Sequence, residues 1–371
     1  MDEIMGLVRP AIRELGPRRS ARIGVGRIET RVRLDANESP YPPYPGGAEQ
    51  QELNRHPEGQ PELLLDTFAG FYGVPRECLL FTRDADEAVD VLVRAFCTEG
   101  RDAVLHTPPT SETYVHSARV QGAGIVEAPL RPGTFQLDPP AILAAYAANP
   151  RTKLVFFCSP NDPTGNLLDR RGILDIANAL FGKVIVVVDH LYLDYSGAGS
   201  LADAIATHPN IVVLRSMSKE YGLAGEPVGI TIAHSDIVGV MGHILAPYPL
   251  SRNAIRAVTQ VMTMLGVLRS TVNIGKILKE RSRVARALAA SPAVVRVFPS
   301  DANFLLVQVE DAIGLVATME RSGIKLHGCS MSAEVSNSVR ITIGTPAENN
   351  AMLAVLDQYA VDPKPRKLHD N

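Results

Sequence analysis

The sequence predicts an α/β protein: a mostly parallel, seven-stranded sheet between helices, followed by a smaller α+β unit. Three observations carry this. Short apolar runs alternate with stretches of helical spacing from about residue 78 to 245. Most of the runs are continuous and rich in Val, Ile and Leu, the pattern of strands buried on both faces. After Pro247-Tyr248-Pro249 the alternation gives way to a long helical region and a different order of elements.

In chain order, strands are expected at Cys78–Thr82, Ala103–His106, Ile125–Pro129, Leu154–Cys158, Val184–Asp189, Ile211–Arg215 and Gly229–Ala233. Between them, Asp86–Cys97, Arg170–Leu180 and Asp236–Leu245 have helical spacing. Such βαβ alternation builds a parallel sheet sandwiched by helices, with ligands at the carboxyl ends of the strands. A helical region is expected from about Asn253 to Ala290. Strands then follow at Val294–Phe298, Asn303–Val309 and Ser338–Ile343, and helices at Ala312–Ser322 and Ala347–Tyr359. The chain is thus expected to divide into an N-terminal segment (1–45) that packs on the small domain and a dimer partner, a large domain (46–250), and a connecting helix with a small C-terminal domain (251–371). Residues 1–30 and the polar, proline-broken tail from Asp362 are expected to be weakly ordered.

The 371 residues suffice for a large and a small core. Apolar residues make up 46% and charged residues 21%, ordinary for a globular chain. A net charge of −3 gives no attraction to nucleic acid or anionic membrane. No apolar run approaches the roughly 20 residues of a membrane span. Arg18, Arg19 and Arg22 are not followed by the apolar core of a secretion signal. Cys78, Cys97, Cys158 and Cys329 are scattered, as buried thiols of a reducing compartment would be. A cytoplasmic location is the expectation.

The chemistry-bearing residues fall just after expected strand ends. In Leu214-Arg215-Ser216-Met217-Ser218-Lys219-Glu220-Tyr221-Gly222 a strand ends, two hydroxyls follow, and a lysine stands beside a glycine turn. Asp189 closes Val184-Ile185-Val186-Val187-Val188, either as a turn cap or as the partner of a buried cation, with Tyr192 three residues on. Ser159-Pro160-Asn161-Asp162-Pro163-Thr164-Gly165 is a strand-to-turn transition. Thr82-Arg83-Asp84-Ala85-Asp86-Glu87-Ala88 opens a helix, where backbone N–H groups can hold a phosphate or an aspartate can cap. Further strings are Leu34-Asp35-Ala36-Asn37-Glu38-Ser39-Pro40-Tyr41, Asn54-Arg55-His56-Pro57, Thr107-Pro108-Pro109-Thr110-Ser111-Glu112-Thr113-Tyr114 and Val339-Arg340-Ile341-Thr342-Ile343-Gly344-Thr345.

Together these strings, spanning about residues 31 to 360, resemble the fold-type-I pyridoxal-phosphate-dependent aminotransferases, most closely the histidinol-phosphate aminotransferases. The resemblance implies pyridoxal 5'-phosphate as cofactor, with Lys219 bonded to its aldehyde and acting as the proton-moving base and acid. It implies that Asp189 pairs with the ring nitrogen and keeps it protonated, and that Tyr192 and Asp162 meet the phenolic oxygen beside Asn161. Ala85, Asp86, Ser216 and Ser218 would surround the phosphate. Ser111 stands at the ring-stacking position, and His56 where a tyrosine reaches the partner subunit's cofactor. Arg340, Tyr41 and His327 would face the substrate. Implied partners are an amino donor, an oxoacid acceptor, and a second copy of the chain in a homodimer with sites at the interface.

Six positions depart from the family's pattern. Asp84 replaces a glycine, Ser111 and His56 replace tyrosines, Asp162 replaces an asparagine, and Pro227 and His327 replace arginines. Ser111 cannot stack, and Tyr114 is the nearest substitute. Asp162 facing a phenolate repels it unless one of them is protonated. Each charged hydrogen bond lost at the phosphate costs about 1.5–3 kcal/mol, so cofactor affinity is expected to fall by a factor of about tens to thousands. Arg252 is a candidate to replace the missing cation across a dimer interface. The expected reaction is amino transfer between an amino acid or related amine and a 2-oxoacid, with a substrate other than histidinol phosphate. The alternatives are a changed reaction type (decarboxylation, elimination or cyclisation, O2-dependent oxidation) and a non-catalytic homologue.

Overall fold

Seven strands form the central sheet: β1 (Leu79–Thr82), β2 (Ala103–His106), β3 (Gly124–Glu127), β4 (Thr152–Cys158), β5 (Ile185–Asp189), β6 (Ile211–Ser216) and β7 (Gly229–Ala233). The computed structural model describes residues 2–15, 32, 34, 36–43, 52–329 and 335–361. Strand order is β1-β7-β6-β5-β4-β2-β3. The pairs β2–β3, β2–β4, β4–β5 and β5–β6 are parallel, and β7 runs antiparallel to both neighbours. The reversal at β7 follows from its connection. No crossover helix lies between β6 and β7, so the chain turns back beside β6, and that turn carries Lys219. The fold class is therefore as the sequence predicts, with strand ends within two residues of expectation.

Alternate residues of the inner strands feed two separate cores. Val186, Val188, Val155, Phe157 and Val213 face one side; Ile185, Val187, Leu154, Phe156 and Leu214 face the other. The first core is covered by α3 (Glu62–Tyr72), α6 (Pro139–Ala148) and α7 (Arg170–Ala179), the second by α4 (Ala85–Phe96), α5 (Thr113–Gln121) and α8 (Ser235–Ile244). Asp169 caps α7 by accepting from the N–H groups of Arg171 and Gly172.

Three expectations are corrected. Part of the segment 1–30 is helical: α1 (Asp2–Leu7) and α2 (Pro10–Arg13). It packs on the large domain rather than on the small one, because Ile4, Leu7 and Val8 fill the core beside α8, and Arg9 N–H bonds the Ala95 carbonyl. Residues 16–30 and the tail from Asp362 lie outside the described residues. The long helical region is two helices, α9 (Arg252–Val261) and α10 (Met264–Ala290), bent by 78°. Thr263 caps the second through Gly266 N–H, and a Cβ at Gly266 would collide with the Val261 carbonyl. The apolar spacing continues across the break, which is why the sequence reads as one helix. Ala254 and Val258 of α9 join the large core, whereas Val284 and Leu288 of α10 join the small one.

The small unit is an antiparallel sheet of β8 (Val294–Val297), β9 (Phe304–Val309), β10 (His327–Cys329) and β11 (Ser338–Thr342), ordered β10-β11-β9-β8. Helices α11 (Ala312–Arg321) and α12 (Pro346–Val361) cover it. β10 was not expected; three residues with a glycine carry no strand pattern. Among the described residues no single helix is long and apolar enough to cross a membrane. All four cysteines are free.

Gly229 fixes how closely β7 approaches the start of α4. A Cβ there would collide with the Asp84 carbonyl and Thr82 Oγ1. Gly229→Ala is expected to destabilise the protein by about 1–3 kcal/mol in urea unfolding. An unchanged midpoint would mean that the α4 start yields freely.

Candidate active site

Three parallel strands end side by side. Cys158 of β4 is level with Asp189 of β5, which is level with Leu214 of β6. Their following loops therefore converge, and they carry Asp162, Tyr192 and Lys219.

Asp189 is 6% exposed. Tyr114 Oη donates to its Oδ2 at 2.8 Å, and Leu191 N–H donates to Oδ1 at 3.2 Å. Burial pushes the carboxyl up to about 7, and the two hydrogen bonds pull the other way. A buried carboxylate with this much unpaired cost fits a cationic ring nitrogen. Tyr114 is fully buried and stacked on Phe156 at 4.7 Å, so it does not replace Ser111 as a stacking ring. Ser111 Oγ accepts from Thr113 N–H at 3.4 Å.

Lys219 is exposed, with Nζ 5.8 Å from the centroid of the Tyr192 ring. Its carbonyl accepts from Tyr195 Oη at 3.0 Å. Tyr192 Oη donates to Asp162 Oδ2 at 3.1 Å, and Arg340 Nη1 donates to Asp162 Oδ1. Phe304, which the sequence did not single out, lies under both: edge-on to Tyr192 at 5.1 Å and beneath the Arg340 guanidinium at 5.6 Å. His327 is level with Arg340 across β10–β11, so both side chains stand on one face. Asn161 is fully buried and braces the turn. It donates to the Pro109 carbonyl and Thr164 Oγ1, and accepts from Thr110 Oγ1.

The start of α4 and the end of β6 form an anion cup that the chain fills itself. Asp84 Oδ1 accepts from Ala85 N–H at 2.8 Å and from Ser216 Oγ at 3.2 Å. Ser218 Oγ is buried without a partner, an unmet donor at the same place. Loss of water around Asp86, then the Asp84 carboxylate, pushes the Asp86 carboxyl up, while Lys219 acts in the opposite sense. Three of the groups expected to hold a phosphate are thus brought together, and a carboxylate already occupies two of them. The residues fit pyridoxal phosphate at its ring and aldehyde ends; at the phosphate end Asp84 must give way.

Beneath the lysine turn lies a cluster that motif reading missed. Arg215, 2% exposed, donates to Asp194 at 2.6 Å, Glu220 at 3.0 Å, the His190 carbonyl at 2.9 Å and Tyr72 Oη at 3.2 Å. Burial raises the Glu220 carboxyl even against Arg215. The clue in the sequence is an arginine closing a strand that is otherwise apolar, since a buried charge requires partners. His190, beside Asp189, is driven down to about 3 by burial and then by Arg215, so it stays neutral.

Tyr41 and His56 sit at the surface of this chain. Tyr41 is 77% exposed, and His56 stacks on Tyr248 at 4.5 Å. Arg252 bonds the carbonyls of Arg55 and His56 and pairs with Glu52 at 3.0 Å. It is engaged within its own chain.

The raised Asp189 carboxyl has a sign that can be measured. The unfolded chain ionises near the ordinary 3.8, whereas the folded protein holds the proton to about 7. Stability is therefore lost as pH rises between these values, by about 4 kcal/mol in full. Asp189→Asn removes the loss. Its stability relative to the parent, from urea unfolding of cofactor-free protein, is expected to rise from pH ~4 to ~8. A constant difference over that range would put the cause elsewhere.

A profile of the family described as "Aminotransferase class I and II" matches residues 32–356. A histidinol-phosphate aminotransferase of Aeromonas salmonicida is 37% identical over 358 residues, covering 96% of this chain and 99% of that protein. One from Escherichia coli is 34% identical over 357 residues, covering 95% and 97%. Among solved structures, histidinol-phosphate aminotransferase from Sinorhizobium meliloti in complex with pyridoxal-5'-phosphate superposes with a TM-score of 0.77 at 21% identity, covering 89% of this chain and 90% of that one. The seven-stranded sheet with its one reversed strand, the lysine in the turn that reverses it, and a match running from residue 32 into α12 have one reading: the chain belongs to the class I and II aminotransferases.

Proposed function

We propose that Lys219 is the catalytic lysine of this pyridoxal-phosphate-dependent aminotransferase, and that the enzyme moves an amino group between an amine-bearing small molecule and a 2-oxoacid. The observation that carries the proposal is the convergence of Lys219, Tyr192, Asp162 and Arg340 beside a buried, ionisable Asp189. When bound, the cofactor supplies an aldehyde that takes up the amino group and a cationic ring that withdraws electrons. The chain's residues do the rest. Lys219 Nζ, exposed and above Tyr192, takes a proton from the substrate carbon and returns one. Asp189 supplies the negative charge that keeps the ring nitrogen protonated. Ser218 Oγ, Ser216 Oγ and Ala85 N–H hold the phosphate once Asp84 has turned away. Asp162, Asn161, Asp86, Ser111 and His56 complete the cofactor's surroundings in this proposal, and Arg340, His327 and Tyr41 those of the substrate.

A homodimer is part of the same proposal. Met264, Leu265, Leu268 and Val272 expose 87, 75, 58 and 51% of their area along the first half of α10. That is a helical stripe of apolar surface suited to a second copy. Free cysteines accord with a cytoplasmic location.

Titrating pyridoxal phosphate into the purified protein is expected to give the visible absorbance of a lysine-bound cofactor, and Lys219→Ala to abolish it. The same variant is expected to lower amino transfer to an oxoacid by at least about a hundredfold. A loaded Lys219→Ala protein with parental activity would reject the assignment. Asp84→Gly frees two donors for the phosphate and is expected to tighten cofactor binding by about tenfold or more in the same titration. Unchanged affinity would mean that the aspartate swings aside at no cost.

A further inference from the structure

Arg340 is the only arginine joined to the Lys219–Tyr192–Asp162 cluster among the described contacts, and it is already matched from within the chain. Asp162 Oδ1 takes its Nη1, and Asp162 Oδ2 takes the Tyr192 hydroxyl, so both carboxylate oxygens are committed. Arg340 retains 26% of its side-chain exposure and Asp162 18%. Phe304 lies against both Arg340 and Tyr192. His327, level with Arg340, is an imidazole and not a second guanidinium.

The charges nearby give an entering anion no other welcome. Asp84, Asp86, Asp162 and Asp189 line the cofactor's surroundings against Lys219 and Arg340. A carboxylate arriving at Arg340 must displace Asp162 and then lie beside it, exchanging one ion pair for an equal one while adding a like-charge contact. A substrate with a hydroxyl or hydrogen in place of the carboxylate leaves the pair intact. An asparagine at position 162 would impose no such choice.

The geometry points to Asp162 as a specificity-determining residue that closes Arg340 to anions, so that the site selects primary amines and amino alcohols bearing neither carboxylate nor phosphate. This rests on the amino-transfer reading above and adds the substrate class. Oxoacid acceptors enter by opening the pair and bind weakly, which places their penalty in KM rather than in kcat.

The test uses the cofactor-loaded, full-length protein with matched sets sharing one skeleton: L-histidinol, L-histidine and L-histidinol phosphate, and L-leucinol with L-leucine. The parent is expected to favour the amino alcohol over its carboxylate or phosphate counterpart by about tenfold or more in kcat/KM. Asp162→Asn is expected to erase that preference and to lower the KM for 2-oxoglutarate about tenfold. Calorimetric binding of 2-oxoglutarate to protein without cofactor gives a second reading, with Asp162→Asn binding about tenfold more tightly than the parent. Preference for histidine or histidinol phosphate in the parent overturns the inference, as does equal 2-oxoglutarate affinity in parent and variant. Failure of the lysine-bound absorbance to form overturns the amino-transfer reading instead, and the calorimetric comparison still decides the role of Asp162.

Discussion

A single guanidinium without water organises the catalytic edge. Arg215 stands one residue before the end of β6, after the apolar run Ile211–Leu214, and its bonds reach three different parts of the chain: α3 through Tyr72, the β5 loop through the His190 carbonyl and Asp194, and the lysine turn through Glu220. An unpaired buried charge costs several kcal/mol, so none of these partners can leave alone. The lysine needs an exposed amine on a turn that does not wander. Burying the residue four positions before it and tethering the residue after it gives that turn a fixed base.

Much of this was legible in the sequence, for physical reasons that differ by element. The inner strands were plain because burial on both faces demands unbroken apolar runs, as in Val184 to Val188. The positions of Lys219 and Asp189 were plain because a charged residue just past such a run stands at the carboxyl ends of the strands, the edge where this architecture generally takes ligands. The bend at residues 262–263 was not, since an amphipathic pattern does not register a change of direction when both halves bury the same kind of surface. α1 was hidden for a related reason: six residues are too few for periodicity, and only the packing of Ile4 and Leu7 gives them meaning. The surroundings of Asp162 were half visible. Its charge was evident, but its bond to Arg340 joins residues 178 positions apart and depends on how two sheets face each other.

The departures from the family's pattern share a theme once their geometry is known. Asp84 and Asp162 are each a carboxylate that takes up donors of its own chain, one Ala85 N–H and Ser216 Oγ, the other Arg340 Nη1 and Tyr192 Oη. Both are satisfied internally, with donors at hydrogen-bonding distance. The free protein therefore carries few idle charges at its site. In the proposed reading each anionic ligand competes with a tethered one, and at Arg340 the Phe304 ring lies against the guanidinium and against Tyr192.

The elbow between α9 and α10 has a mechanical consequence. Its two arms belong to different cores, one under the seven-stranded sheet and the other under the four-stranded one. What crosses between those sheets near the site is of two kinds: apolar, with Phe304 on Tyr192 and Phe298 on Phe135, and polar, with Asp162 to Arg340 and Asp301 to the Gly165 carbonyl and Leu167 N–H. Polar ties are weakened by dissolved ions far more than apolar burial is. The joint thus has two kinds of fastening, and ionic strength reaches only the polar one, while Phe304 and Phe298 hold the halves together at any salt concentration.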